Sequence, residues 1–183
     1  MNKFTVVIGL CILAIVAGAT WLLLPANQVN APTQSEPTSF VECVAVGNPV
    51  MESYPRQCNT LSGLHFVEDI GNELEKQDLI RATYPRPGVT ITSPLVAVGE
   101  ARGYWFFEAS FPISVLDANG TQIGQGYAQA QGEWMTEDFV PFESVAITFT
   151  PQPAGSAGTV VLHKDNPSGL PEHDDELRIP IVF

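Results

Sequence analysis

Toward the end of this sequence, Glu172-His173-Asp174-Asp175-Glu176 places four carboxylates within five residues, a short step from Asp165. Carboxylates gathered on one loop are the usual oxygen source for calcium, which takes about six to eight such ligands. Asp165, Glu172, Asp174, Asp175 and Glu176 are therefore a weak calcium candidate. The D-x-D-x-D-G spacing of a dedicated calcium loop is missing, and charge runs are more often solvated turns. The histidines, His65, His163 and His173, show neither H-x-H nor HExxH spacing, and no serine sits in a nucleophile elbow. A triad would have to assemble from distant residues, such as His163, Asp165 and a serine. The sequence predicts no enzyme and no cofactor.

Cys43 and Cys58 are the only cysteines outside the leading apolar segment. An even pair beyond a membrane segment reads as one disulfide in an oxidising compartment. Structural zinc needs a full tetrahedral ligand set, more than Cys43, Cys58 and His65 supply. Between the cysteines, Gly47-Asn48-Pro49 and Tyr54-Pro55-Arg56 carry turn chemistry. Val41, Val44 and Val67 are candidates for a small core. Arg56 on a stapled loop could address a protease as an inhibitor does, but a plain cap between two segments is the preferred reading.

Aromatic residues are the third resource. Residues 104–115 read YWFFEASFPISV. At a two-residue period, Trp105, Phe107, Ala109, Phe111, Ile113 and Val115 share an inward face, and Tyr104, Phe106 and Glu108 lie on the other. Outward Tyr104 and Phe106, with Trp134 of Gly132-Glu133-Trp134-Met135-Thr136, make a candidate binding face for a sugar ring or a protein partner. The alternative, and the preferred one, is that Trp134 plugs one end of the core.

These residues need a scaffold, and the pattern around them predicts one that is all-β. Asn119-Gly120 after the aromatic strand is a hairpin signal. Further strands are expected at 89–91, 95–99, 121–131, 145–149, 159–163 and 177–183. That makes about seven strands, the rhythm of an immunoglobulin-like antiparallel β-sandwich. Leu74, Leu79 and Ile80 among charged neighbours predict a helix within 69–81, ended before Pro85. The expected organisation is a transmembrane anchor or signal segment over 1–24, a flexible tether over 25–39 and a disulfide-stapled module over 40–70. A helical connector over 71–83 leads to the β domain over 84–183.

The anchor reading rests on residues 4–24, 21 residues without a charge, preceded by Lys3. That length suffices to span a bilayer and exceeds a typical cleavable signal. A cleaved signal ending at Ala19 or Ala26 is the alternative, and Cys11 lies too early for a lipoprotein. The tether, rich in Pro, Gln, Asn, Ser and Thr, reaches roughly 40 Å. All 20 acids lie beyond residue 35, against 8 bases in the whole chain. Such a surface repels phosphate backbones, so nucleic acid is not an expected partner.

Several motifs carry a family resemblance. Tyr84-Pro85-Arg86-Pro87-Gly88, Thr92-Ser93-Pro94-Leu95, residues 98–103 (VGEARG), residues 105–108 (WFFE) and Gly132-Glu133-Trp134 resemble the Gmad-type immunoglobulin-like domain of bacterial spore-germination and related exported proteins. Phe139-Val140-Pro141-Phe142, residues 165–169 (DNPSG) and residues 179–183 (IPIVF) extend the resemblance over about 79–183. It implies an extracytoplasmic, non-enzymatic β-sandwich and no particular ligand. Residues 43–58, with Gly63 and residues 66–68, resemble a short two-cysteine module of exported bacterial proteins. The expected function is non-catalytic binding or scaffolding at the bacterial cell envelope through protein–protein contacts. Binding of peptidoglycan or another envelope glycan is the alternative. The bulk of the chain is expected outside a membrane that its first helix crosses once, or secreted if that helix is cleaved.

Overall fold

A computed structural model describes residues 35–183. No helix among them is long and apolar enough to cross a membrane. The expected anchor over 1–24 and most of the expected tether lie outside the described residues.

The stapled module is built from α1 (Phe40–Ala45) and the strands β1 (Val50–Met51), β2 (Gln57–Asn59) and β3 (His65–Val67), paired antiparallel in that order. Ser39 caps α1 by accepting the Glu42 N–H, and the expected Cys43–Cys58 disulfide joins α1 to β2. Val41, Val44 and Val67, expected as a small core, are instead 70%, 37% and 49% exposed. Six helical residues present one inward face, and Cys43 occupies it. The two fully buried cysteines are the centre of the module.

The helix expected within 69–81 is only α2 (Glu73–Lys76). Ile80 and Ala82 alternate inward in β4 (Ile80–Tyr84), where a sheet ladder is available and a longer helix would have left them without a core. Six more strands follow: β5 (Val98–Arg102), β6 (Ser110–Asp117), β7 (Gln122–Ala130), β8 (Phe139–Ser144), β9 (Ala157–His163) and β10 (Glu176–Val182). All seven form one antiparallel sheet in the order β10-β9-β6-β7-β8-β5-β4. Hydrogen bonding continues from β7 to β8 through Ala128–Ser144, Gln129–Glu143 and Ala130–Phe142, so the two faces of the expected sandwich belong to one curled sheet. Phe111, fully buried, meets Phe142 edge-on at 5.0 Å and Phe106 at 5.2 Å between ring centroids. Strand β8 was not expected, whereas 145–149 and 89–91 contribute isolated bridges only.

The β10 margin of the sheet is covered. Along β10, the Asn72 side chain donates to the Glu176 carbonyl and accepts the Arg178 N–H. Further on, Gly88 N–H donates to the Pro180 carbonyl, and residues 89–91 exchange bonds with Val182. Pro180 has no N–H to leave open. At β4, Arg86 Nη1 donates to the Ala82 carbonyl, and α2 touches both β4 and β10. Gly71, at φ +63°, is needed here, since a Cβ would stand 2.0 Å from the Arg178 carbonyl oxygen.

The stapled module is fastened to the sheet by one polar knot. The Tyr54 hydroxyl and Arg86 Nη1 both donate to the Glu73 carboxylate, and Arg86 Nη2 donates to the Tyr54 oxygen at 2.9 Å. Burial and the adjacent Glu73 push the Tyr54 phenol up to about 12.

Candidate functional site

The aromatic stretch does not run as one strand. Residues Gly103–Trp105 form a 3-10 turn, and Phe107 and Ser110 then close a tight hairpin whose two central residues, Glu108 and Ala109, lie at φ 49° and 62°. Neither is a glycine, and left-handed backbone costs an L-residue about 1–2 kcal/mol. The turn shifts the alternation by one. Phe106, expected outward, is buried against Phe111, whereas Phe107, expected inward, is 42% exposed. Trp105 and Phe111 are inward as expected.

This rearrangement leaves an apolar track at one end of the sheet. Tyr104, half exposed, stands between two shallow hollows. One, of about 330 Å³, runs past Phe107 to Asp165 and Asn166. The other, of about 310 Å³, runs to Trp134 and Met135. Thr136 joins that second hollow to a third beside Glu133 and Asp138. Trp134 is partly buried on the core, so its ring both closes this end and lines the track. Met135, 75% exposed, escaped the sequence reading because a lone methionine in a loop carries no pattern. Gly103 lets the 134–136 loop lie down on the turn: a Cβ there would come within 2.0 Å of the Thr136 carbonyl oxygen and 2.3 Å of that of Trp134.

Asp174, Asp175 and Glu176 of the calcium candidate line one hollow with Lys76 and His163, and each is engaged by a different partner. Asp174 Oδ1 accepts from the Asn166 amide, Asp175 pairs with Lys76 at 2.6 Å, and Glu176 pairs with Arg178 at 2.8 Å. Glu172 is exposed, and Asp165 belongs to the aromatic track. Among the described residues, no three His, Cys, Asp or Glu side chains are gathered as metal ligands. Strand β10 begins at Glu176 and draws that end of the acidic run into cross-strand pairs.

His163 does find a serine, though not beside Asp165. Its Nε2 lies 3.1 Å from Ser114 Oγ and its Nδ1 3.4 Å from Glu176 Oε2. Strand register brings them together: Glu176 opposes His163, and Ser114 opposes Val161. Yet Ser114 sits mid-strand, with β6 paired on both sides, so its backbone donors are committed to the ladders and none is free to hold an oxyanion. Ser114 Oγ also donates to Gln122 Oε1 at 3.0 Å. The row is a cross-strand polar ladder, and burial holds the His163 imidazolium pKa below its ordinary value. Arg56 is likewise engaged. It binds Glu68 in bidentate fashion, at 2.5 and 3.0 Å, and lies over Phe40, so it is not presented as an inhibitor's arginine would be.

Residues 79–169 match the family described as the immunoglobulin-like domain of bacterial spore germination, Gmad2. The match begins beside β4 and ends before β10, the strand that completes the sheet. No curated protein and no solved structure matches the chain.

Proposed function

We propose, from the premise that residues 79–169 belong to the Gmad2 family of immunoglobulin-like domains, that this chain is a non-catalytic binding module. It acts through the aromatic end of its curled sheet, at the bacterial cell envelope. One contrast supports this reading. The β10 margin, through which an immunoglobulin-like sheet could add a strand from a partner, is covered, while the end carrying Tyr104, Phe107 and Met135 is open and apolar. Backbone groups already bonded cannot recruit a partner strand, whereas exposed aromatic and methionine side chains are common anchors of recognition surfaces. The apolar segment 4–24 would hold the module at a membrane, and the stapled module, knotted to the sheet through Glu73, would serve as a rigid base.

The test places a photoreactive amino acid at Tyr104, and in a parallel chain at Asn119 in the β6–β7 turn, in cells carrying the full chain. Crosslinks to one envelope protein from position 104, absent from 119 and lost on Met135→Ser, are expected. Equal crosslinking from both positions refutes the reading. Sedimentation with purified cell-wall sacculi that Tyr104→Ser abolishes would transfer the same surface to the glycan alternative.

A further inference from the structure

Acids outnumber bases around the aromatic track, whose hollows hold Lys164 and His173 as their basic side chains. Glu133, Glu137, Asp138 and Asp165 line its hollows, and Glu108 is the exposed tip of the hairpin beside Asp165. Arg81 and Arg102 stack on the Phe139 ring beside the third hollow, each guanidinium 4.1 Å from its centroid, and Arg102 Nη1 donates to the Glu137 carbonyl, so the acids left for a guest are those at the other end, Asp165 and Glu108. Lys164 directs its Nζ toward the His173 carbonyl at 3.4 Å. Neither Asp165 nor Glu108 has an ion pair among the described residues. Asp165 is partly buried, and burial, with Glu108 adding to it, lifts its carboxyl above the usual range. The hairpin that carries Glu108 to this position does so through two left-handed residues that are not glycine. A turn costing the fold this much, and presenting a second carboxylate to an unpaired one, favours a positively charged guest.

We propose that this end binds a cationic, partly apolar peptide segment of an envelope protein: a lysine or arginine enters between Asp165 and Glu108, and a neighbouring apolar side chain lies along Tyr104, Trp134 and Met135. The inference rests on the binding surface proposed above and adds the chemistry of the partner. A guanidinium or ammonium supplies charge-assisted hydrogen bonds to both carboxylates and sits over the Tyr104 or Phe107 ring. A neutral glycan would leave both acids without a counter-charge, and an acidic partner would be repelled.

The experiment uses the full chain in a nonionic detergent, with carbon-13 methyl-labelled methionine. Three synthetic nonapeptides share one Leu/Phe pattern and carry Lys and Arg, Gln, or Glu at the remaining positions. The basic peptide is expected to bind about tenfold more tightly than the Gln peptide, a gap of ~1.4 kcal/mol. That gap should shrink at high salt. The Met135 methyl signal should move, while that of Met51, in the stapled module, stays in place. Glu108→Gln with Asp165→Asn, both isosteric, should remove the preference without changing the melting temperature by more than a few degrees. Equal affinities for all three peptides with Met135 still shifting would overturn the cationic partner and leave the surface standing. No Met135 shift with any peptide would overturn this inference; loss of the position-104 crosslinks would then separately remove the surface.

Discussion

Replacing Arg86 by methionine tests whether one buried charge fastens the stapled module to the sheet. The Glu73 side chain is 11% exposed and accepts from both Tyr54 and Arg86. Methionine keeps most of the aliphatic stem and removes the guanidinium, so Glu73 retains Tyr54 as a partner but loses its counter-charge. Breaking a fully buried pair from one side costs about 3–5 kcal/mol. Arg86 is 44% exposed, so water can reach the vacated position, and the expected loss falls to about 2 kcal/mol. Removing both charges, by Glu73→Leu with Arg86→Met, leaves no orphaned carboxylate and is expected to cost about 1 kcal/mol or less. The double variant should therefore be more stable than the single one. Urea midpoints of the full chain in a nonionic detergent, with unchanged slope, read this directly. A double variant as unstable as Arg86→Met, or less stable, would refute the buried-charge account.

Ala109→Gly should stabilise the chain by about 1 kcal/mol, because glycine relieves the left-handed strain at φ 62° by more than its added unfolded-state freedom costs. Calorimetry would show a rise of roughly 3 °C; a fall would mean that the turn is not strained. Gly103→Ala should cost about 2–3 kcal/mol, since its Cβ meets two backbone carbonyls of the 134–136 loop, and should shift Trp134 fluorescence. A silent substitution would show that this loop moves freely. His163 is held below its ordinary pKa in the fold, first by burial, so as pH falls the unfolded chain takes the proton before the folded one does. Stability should therefore decline as pH drops through about 6.5, and His163→Gln should flatten that decline in urea midpoints taken from about pH 7.5 to 5.5. An unchanged slope would assign the decline to other groups.

What the sequence revealed depended on whether a pattern was local. Asn119-Gly120 placed the β6–β7 turn correctly, although only Gly120 takes positive φ and the Asp117 carboxylate organises the rest by accepting the Asn119 and Thr121 N–H groups. The cysteine pair and the all-β class were legible for the same reason. The register of the aromatic stretch was not. Period-two counting assumes an extended chain, and two left-handed residues at 108–109 interrupted it, exchanging Phe106 and Phe107 between the faces. Strand β8 escaped because Pro141 reads as a break, yet in the sheet its neighbours Val140 and Phe142 point inward across β5. The binding surface was half legible: Tyr104 and Trp134 were singled out, but Phe107, Met135 and the approach of Glu108 to Asp165 depend on loops distant in sequence. The partners of the calcium candidate's carboxylates, Asn166 for Asp174, Lys76 for Asp175 and Arg178 for Glu176, were not legible, because adjacency along the chain does not fix where each side chain turns.

The cover over β10 has a kinetic side. Asn72 reaches partners 104 and 106 residues further along the chain, and residues 88–91 pair with the end of the same strand. Contacts that close such long loops tend to form late in folding. They are also held by one side chain and a brief parallel bridge, the kind of margin at which native chains breathe first. When this seam parts, β10 stays paired with β9 from Glu176 to Val182, and Asp165 stays tied through its N–H to the Trp105 carbonyl. The breathing is therefore confined to the outer edge of β10, and the aromatic track keeps its shape while that edge opens and closes.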